Sequence, residues 1–94
     1  MNVRIEYNQK DGNLHFSDIN NQSSIAIGYK PICHNVNVDK AIEFSHHLSI
    51  KFESFNKDIK PYPSYVTIFN EFNSFIRNNN NKIGVAENLD RVSK

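Results

Sequence analysis

The chain has 94 residues, with eleven Lys and Arg against ten Asp and Glu, a formal net charge of +1. That length points to one domain and away from a multidomain enzyme, since independent domains usually run to roughly 100–150 residues. At this size folding hides only about 60–65% of the surface of the unfolded chain, so a deep substrate cleft would consume much of the core. The balanced charge provides no global field for phosphate backbones or acidic membranes.

The first third reads as strands. Val3, Ile5 and Tyr7 alternate with Arg4, Glu6 and Asn8, and after Lys10-Asp11-Gly12-Asn13 the alternation resumes with Leu14 and Phe16 against His15 and Ser17. Asp11-Gly12 is the turn signal, because Asp tolerates the left-handed region and Gly enters it without steric cost. A polar stretch from Asp18 to Ser24 precedes Ile25, Ala26, Ile27, Gly28 and Tyr29, which predict a third strand ending at Pro31, where a ladder hydrogen bond is lost.

The segment from Val38 to Asn56 satisfies two periods. Ile42, Phe44, Leu48, Ile50 and Phe52 fit the strand alternation, whereas Val38, Ala41, Phe44, Leu48, Phe52, Phe55 and Ile59 fall on one helical stripe. The helix accounts for the apolar residues beyond the alternating run, and a strand of that length would exceed the usual 3–10 residues. A helix over 38–57 is expected, with Asn37 or Asp39 as N-cap and His47 on the polar side, in reach of Glu43. Pro61-Tyr62-Pro63 breaks the chain, and Ser64 opens a second helix over 64–78. Tyr65, Phe69, Phe72 and Ile76 form its stripe, widened by Val66, Ile68 and Phe75. The Asn78–Asn81 run is expected to end it, because Asn competes for backbone hydrogen bonds. Residues 82–94, with Val85, Leu89 and Val92 at i, i+4, i+7 spacing in a segment too short to hold a helix alone, are expected to be a mobile tail or a short helix.

The single cysteine, Cys33, permits no internal disulfide. The charged N-terminus lacks the apolar stretch of a secretory signal, and no segment approaches the ~20 apolar residues of a membrane span. A cytoplasmic protein that does not engage a membrane is expected. The fifteen asparagines, with Ala and Gly scarce, suit an AT-rich genome, bacterial or phage.

Chemistry is thinly encoded. Cys33-His34 and His46-His47 are adjacent pairs, and neighbours diverge on strands and helices alike, so neither supplies the converging ligands of a zinc site. Cys33 beside His34 has the atoms of an activated thiol without the needed geometry, and a small apolar role at a strand end is the simpler assignment. The acids are scattered singly, against the paired carboxyls of acid–base work. Gly12, Gly28 and Gly84 are isolated, so no phosphate-cradling loop is present. No cofactor, metal or catalytic residue is expected.

Two binding readings remain. The wide aromatic stripe exceeds what a helix on one small sheet needs, and aromatic side chains are preferred anchors where proteins meet. Tyr62, Tyr65, Phe69, Phe72 and Phe75 are therefore expected to face a protein partner or a second copy in a homodimer. Lys57, Lys60, Arg77 and Lys82 form the alternative, a small nucleic-acid-associated regulator in which lysines meet phosphates and Tyr62 and Tyr65 offer stacking faces. The expected architecture is α+β: a small antiparallel sheet from residues 1–31 covered by two C-terminal helices in one domain. The expected function is a non-catalytic protein-binding module, an adaptor or an inhibitor, and size and base bias would suit a phage or mobile-element inhibitor of a host or defence protein.

Overall fold

In the computed structural model, residues 1–21, 23–57 and 59–88 are described, with Asn56 and residues 79–88 as backbone only. Strand β1 (Asn2–Asn8) pairs antiparallel with β2 (Asn13–Asp18) and, on its other side, with β3 (Tyr29–Asn37). The sheet order is β2-β1-β3, so β1 is the central strand. Helices α1 (Val38–Lys51), α2 (Glu53–Lys57) and α3 (Tyr65–Asn88) follow. This is the expected small α+β arrangement.

The hairpin forms where Asp11-Gly12 places it. Asn8 Oδ1 accepts from the amides of Lys10 and Asp11 at 2.9 and 3.2 Å, and Gly12 N donates to Asn8 O at 2.7 Å. Gly12 closes the turn at φ +71°, a region that costs any residue with a Cβ.

The third strand is displaced from its expected position. Ile25 to Ile27 belong to a loop, with Ile27 98% exposed, and the chain turns at Gly28 with φ +90° before the strand begins at Tyr29. The strand then runs through Pro31 to Asn37. Proline is accommodated because β3 is an edge strand, and Pro31 lies opposite Glu6 where the β1–β3 register shifts.

The ambiguous segment is helical. Ala41, Phe44 and Leu48 are buried along one stripe of α1, and Asn37 caps it by accepting from Asp39 N at 2.8 Å. The helix does not reach residue 57 unbroken. At Phe52 the backbone is extended, with φ −116° and ψ 113°, and α2 starts after it, which lets Phe52 and Phe55 both turn toward the core. Nor does His47 pair with Glu43. Its Nε2 meets Glu71 Oε2 on α3 at 2.7 Å, and Lys51 reaches the same oxygen at 3.4 Å, while Glu43 takes Lys40. Burial works to raise the Glu71 pKa, but the His47 hydrogen bond and the Lys51 charge outweigh it and hold the carboxyl below its ordinary value.

Helix α3 starts as expected at Ser64, whose Oγ accepts from Thr67 N at 3.2 Å. It continues through Asn78–Asn81 to Asn88, because asparagine lowers helix propensity without forbidding helical backbone as proline does. The expected tail from 82 is thus helical to 88, and 89–94 lie outside the described residues.

The core lies between the sheet and the helices. Val3, Ile5 and Tyr7 of β1 and Ile32 of β3 meet Ala41, Phe44 and Leu48 of α1 and Ile68 and Phe72 of α3. Phe44 is fully buried and takes Phe72 edge-on at a centroid distance of 5.0 Å. A buried Phe contributes about 1.5–3 kcal/mol by transfer alone.

Candidate functional site

The opposite end of the sheet from the α1 cap brings together the hairpin turn, the start of β3 and the start of α3. Three hydrogen bonds join them. Tyr7 Oη donates to Pro63 O at 2.7 Å, Tyr65 Oη donates to Pro31 O at 2.5 Å, and Tyr65 N donates to Gln9 Oε1 at 2.7 Å. Gln9 thus satisfies an orphan amide at the first turn of α3. The segment between α2 and α3, which has a cis Lys60-Pro61 peptide, lays Tyr62 across the turn. A Cβ on Gly12 would sit 2.6 Å from Tyr62 Cγ, so the ring rests directly on the glycine.

Between these elements is a groove of about 960 Å3, at the upper end of the roughly 300–1,000 Å3 usual for ligand sites. Tyr7, Tyr62 and Tyr65 supply its aromatic surface, Ile27 and Pro61 its apolar rim, and Lys10, Lys30 and Lys60 its charge. Among the described residues none of the three lysines is in an ion pair. Lys30 Nζ lies 5.6 Å from the centre of the Tyr65 ring, a cation–π contact. Asp11, the one acid among the described residues that line the groove, is held by Asn8 Nδ2 at 3.1 Å. A chain with a net charge of +1 therefore concentrates three cations at one aromatic groove.

The described lining of the groove carries no His, Cys or Ser. Burial, with the Tyr62 phenol nearby, pushes the Tyr7 pKa up to about 12, so at neutral pH it is a protonated donor fixed on a backbone carbonyl. Among the described residues no group of three His, Cys, Asp or Glu is placed to hold a metal ion.

The expected aromatic surface divides in two. Tyr62 and Tyr65 line the groove, and Phe69, 38% exposed, extends it by stacking on Tyr65 at 5.9 Å. Phe72 leaves the candidate set because it is 5% exposed and packs on Phe44. Phe75 is half-buried and leans on Phe44 at 5.5 Å and His47 at 5.3 Å. The excess arc of α3 is thus largely used to contact α1. Of the expected phosphate-binding set, Lys60 lines the groove, whereas Lys57 pairs with Glu53 at 3.1 Å and Arg77 is exposed farther along α3. The Lys82 side chain lies outside the described residues. Sequence reasoning missed Lys10, Lys30 and Ile27, which come from the turn, the start of β3 and the loop before it, and share no periodicity with Tyr62 or Tyr65. Among the described residues no helix is long and apolar enough to cross a membrane. No protein-family model, no curated protein and no solved structure matches the chain.

Proposed function

We propose that the chain is a non-catalytic binding module that receives an acidic, aromatic-containing protein segment in the groove. The supporting observation is the convergence of Lys10, Lys30 and Lys60, none ion-paired among the described residues, around the faces of Tyr62 and Tyr65. Lysines at an apolar rim select carboxylates and repel basic segments, while the tyrosines and Ile27 offer contact area at small entropic cost. An adaptor and an inhibitor of a larger protein are two consequences of the same binding. The test is selection from a displayed random-peptide library, followed by affinity measurement with wild type and Lys30→Glu/Lys60→Glu. Acidic peptides that lose at least ~tenfold affinity in the variant support the reading; peptides without acidic bias, or binding equally to both proteins, overturn it.

A second reading rests on the same lysines and tyrosines: a short single strand, with phosphates on Lys10, Lys30 and Lys60 and a base on Tyr62. Titration with a thymidine hexanucleotide separates the two. A log–log salt slope of about −2, that of three phosphate contacts at ~0.7 each, would favour the strand.

A further inference from the structure

The two edges of the sheet differ. On the β3 side Pro31 has no amide hydrogen, its carbonyl accepts from Tyr65 Oη, and the register with β1 shifts on either side of Ile5, all of which blunt an edge. Strand β2 has none of these devices: Asn13 to Asp18 include no Pro, Lys or Arg, and their register with β1 is unbroken. Helices α1 and α3 rest on β1 and β3. On the other face Arg4 Nη2 meets Glu6 Oε2 at 2.5 Å and donates to Ser23 O at 3.0 Å, which holds the chain after β2 over β1.

The ladder fixes which groups the β2 edge presents. Ile19 N donates to Asn2 O at 3.2 Å, so the hydrogen-bonded pairs between β1 and β2 are those of Arg4, Glu6 and Asn8. His15 and Ser17 therefore turn their backbone groups toward β1, and Leu14 and Phe16 turn theirs outward. Among the described residues no backbone group meets these outward N–H and C=O groups, whereas Asp18 O already accepts from Asn21 N at 3.0 Å. The side chains of Leu14 and Phe16 lie on the helix side beside Tyr7 and Ile5, half-buried against the core. Phe55 packs on Tyr7 at 5.9 Å, so the apolar layer reaches the edge.

We propose that this edge is a homodimer interface, in which a second copy adds its own β2 antiparallel to form a six-stranded sheet. An occupant of the edge must supply backbone groups at alternate positions, apolar side chains on the helix side and polar ones on the other. Leu14-His15-Phe16 supplies all three. A two-fold axis at His15 sets Leu14 of each copy opposite Phe16 of the other, so every outward group of the two residues finds a partner and apolar side chains meet. On the other face Asn13 meets Ser17, and each His15 keeps the Glu6 carboxylate of its own chain at 3.0 Å. Centring the pair on Phe16 would instead set Leu14 against Asp18, whose carbonyl is taken. The groove plays no part in the pairing: the axis puts the two hairpin turns, and the two grooves with them, at opposite ends of the sheet.

The test is sedimentation equilibrium of the whole chain between about 10 μM and about 1 mM, with a Kd on the order of 100 μM expected for so short an interface. A mass rising from one chain toward two is the predicted result. Amide exchange at Leu14 and Phe16 should slow over the same range, and a mixture of labelled and unlabelled chains should show cross-chain contacts between Leu14 and Phe16. Phe16→Pro removes an outward donor and leaves the hydrogen bonds to β1 in place, and should weaken association at least ~tenfold. Phe69→Asp, on exposed α3, should leave it unchanged. The mass of one chain throughout, including a chain whose β2 responds only to an added peptide, would overturn the proposal. So would cross-chain contacts elsewhere, or association lost in Phe69→Asp and kept in Phe16→Pro. If Phe16→Pro fails to fold, the wild-type mass, exchange and cross-chain contacts decide alone.

Discussion

Strand β1 has two buried faces, and they are built on opposite principles. Val3, Ile5 and Tyr7 meet the aromatic and aliphatic residues of α1 and α3, whereas Arg4, Glu6 and Asn8 lie 2–8% exposed under a loop or beside the turn. The apolar face gains from every methylene removed from water and needs no directional partner. The polar face gains little from burial and depends on each charge keeping its counter-charge, because desolvation of an ion pair roughly cancels its attraction. The first face holds the fold together. The second holds Ser23 through Arg4, and Ile27 and Gly28, a few residues farther along, line the groove.

Mutations at the two faces should therefore differ in kind. Phe44→Ala is expected to cost about 3–5 kcal/mol in denaturant unfolding, by lost transfer energy and the cavity left against Phe72. Glu6→Ala should cost a comparable ~3–5 kcal/mol, because Arg4 stays buried without its partner. The distinguishing experiment is the double variant Arg4→Met/Glu6→Leu, expected within ~1 kcal/mol of wild type since no charge is stranded. A double variant as unstable as Glu6→Ala would mean the polar face contributes stability of its own.

Smaller effects belong to the groove end. Gly12→Ala should cost about 1–2 kcal/mol for the left-handed backbone, and it should also displace Tyr62, visible as changed Tyr62 ring resonances. Tyr7→Phe removes the bond to Pro63 O and should cost about 1 kcal/mol. The Tyr7 phenol is raised from 10.0 to about 12, so folding favours its neutral form. The stability it contributes is full below pH 10 and is lost as pH rises toward 12. Wild type should weaken across that window more steeply than Tyr7→Phe, as followed by urea midpoints.

The local rules wrote the local elements. Asp11-Gly12 specified the hairpin, Ser64 the start of α3, and Ala41, Phe44 and Leu48 the helix at 38–51, since each signal acts over a few residues. Pro31 misled because its effect depends on whether its strand is central or at an edge, which only the sheet order β2-β1-β3 decides. Phe72 could not be distinguished from Phe69 by periodicity alone. They lie three residues apart on one helix, and their burial depends on where α1 crosses it. The groove was half legible, as Tyr62, Tyr65 and Lys60 in one segment; Lys10 and Lys30 joined it through pairings at the far end of β1.

The most direct test of the groove as the binding surface is amide chemical-shift mapping with a selected acidic peptide at low and at 0.5 M salt. Shifts centred on Lys10, Gly12, Gly28, Lys30, Tyr62 and Tyr65, with affinity falling several-fold as salt screens the lysines, are the predicted result. Shifts confined to the exposed α1 positions Ile42 and Ile50, or affinity indifferent to salt, would contradict it.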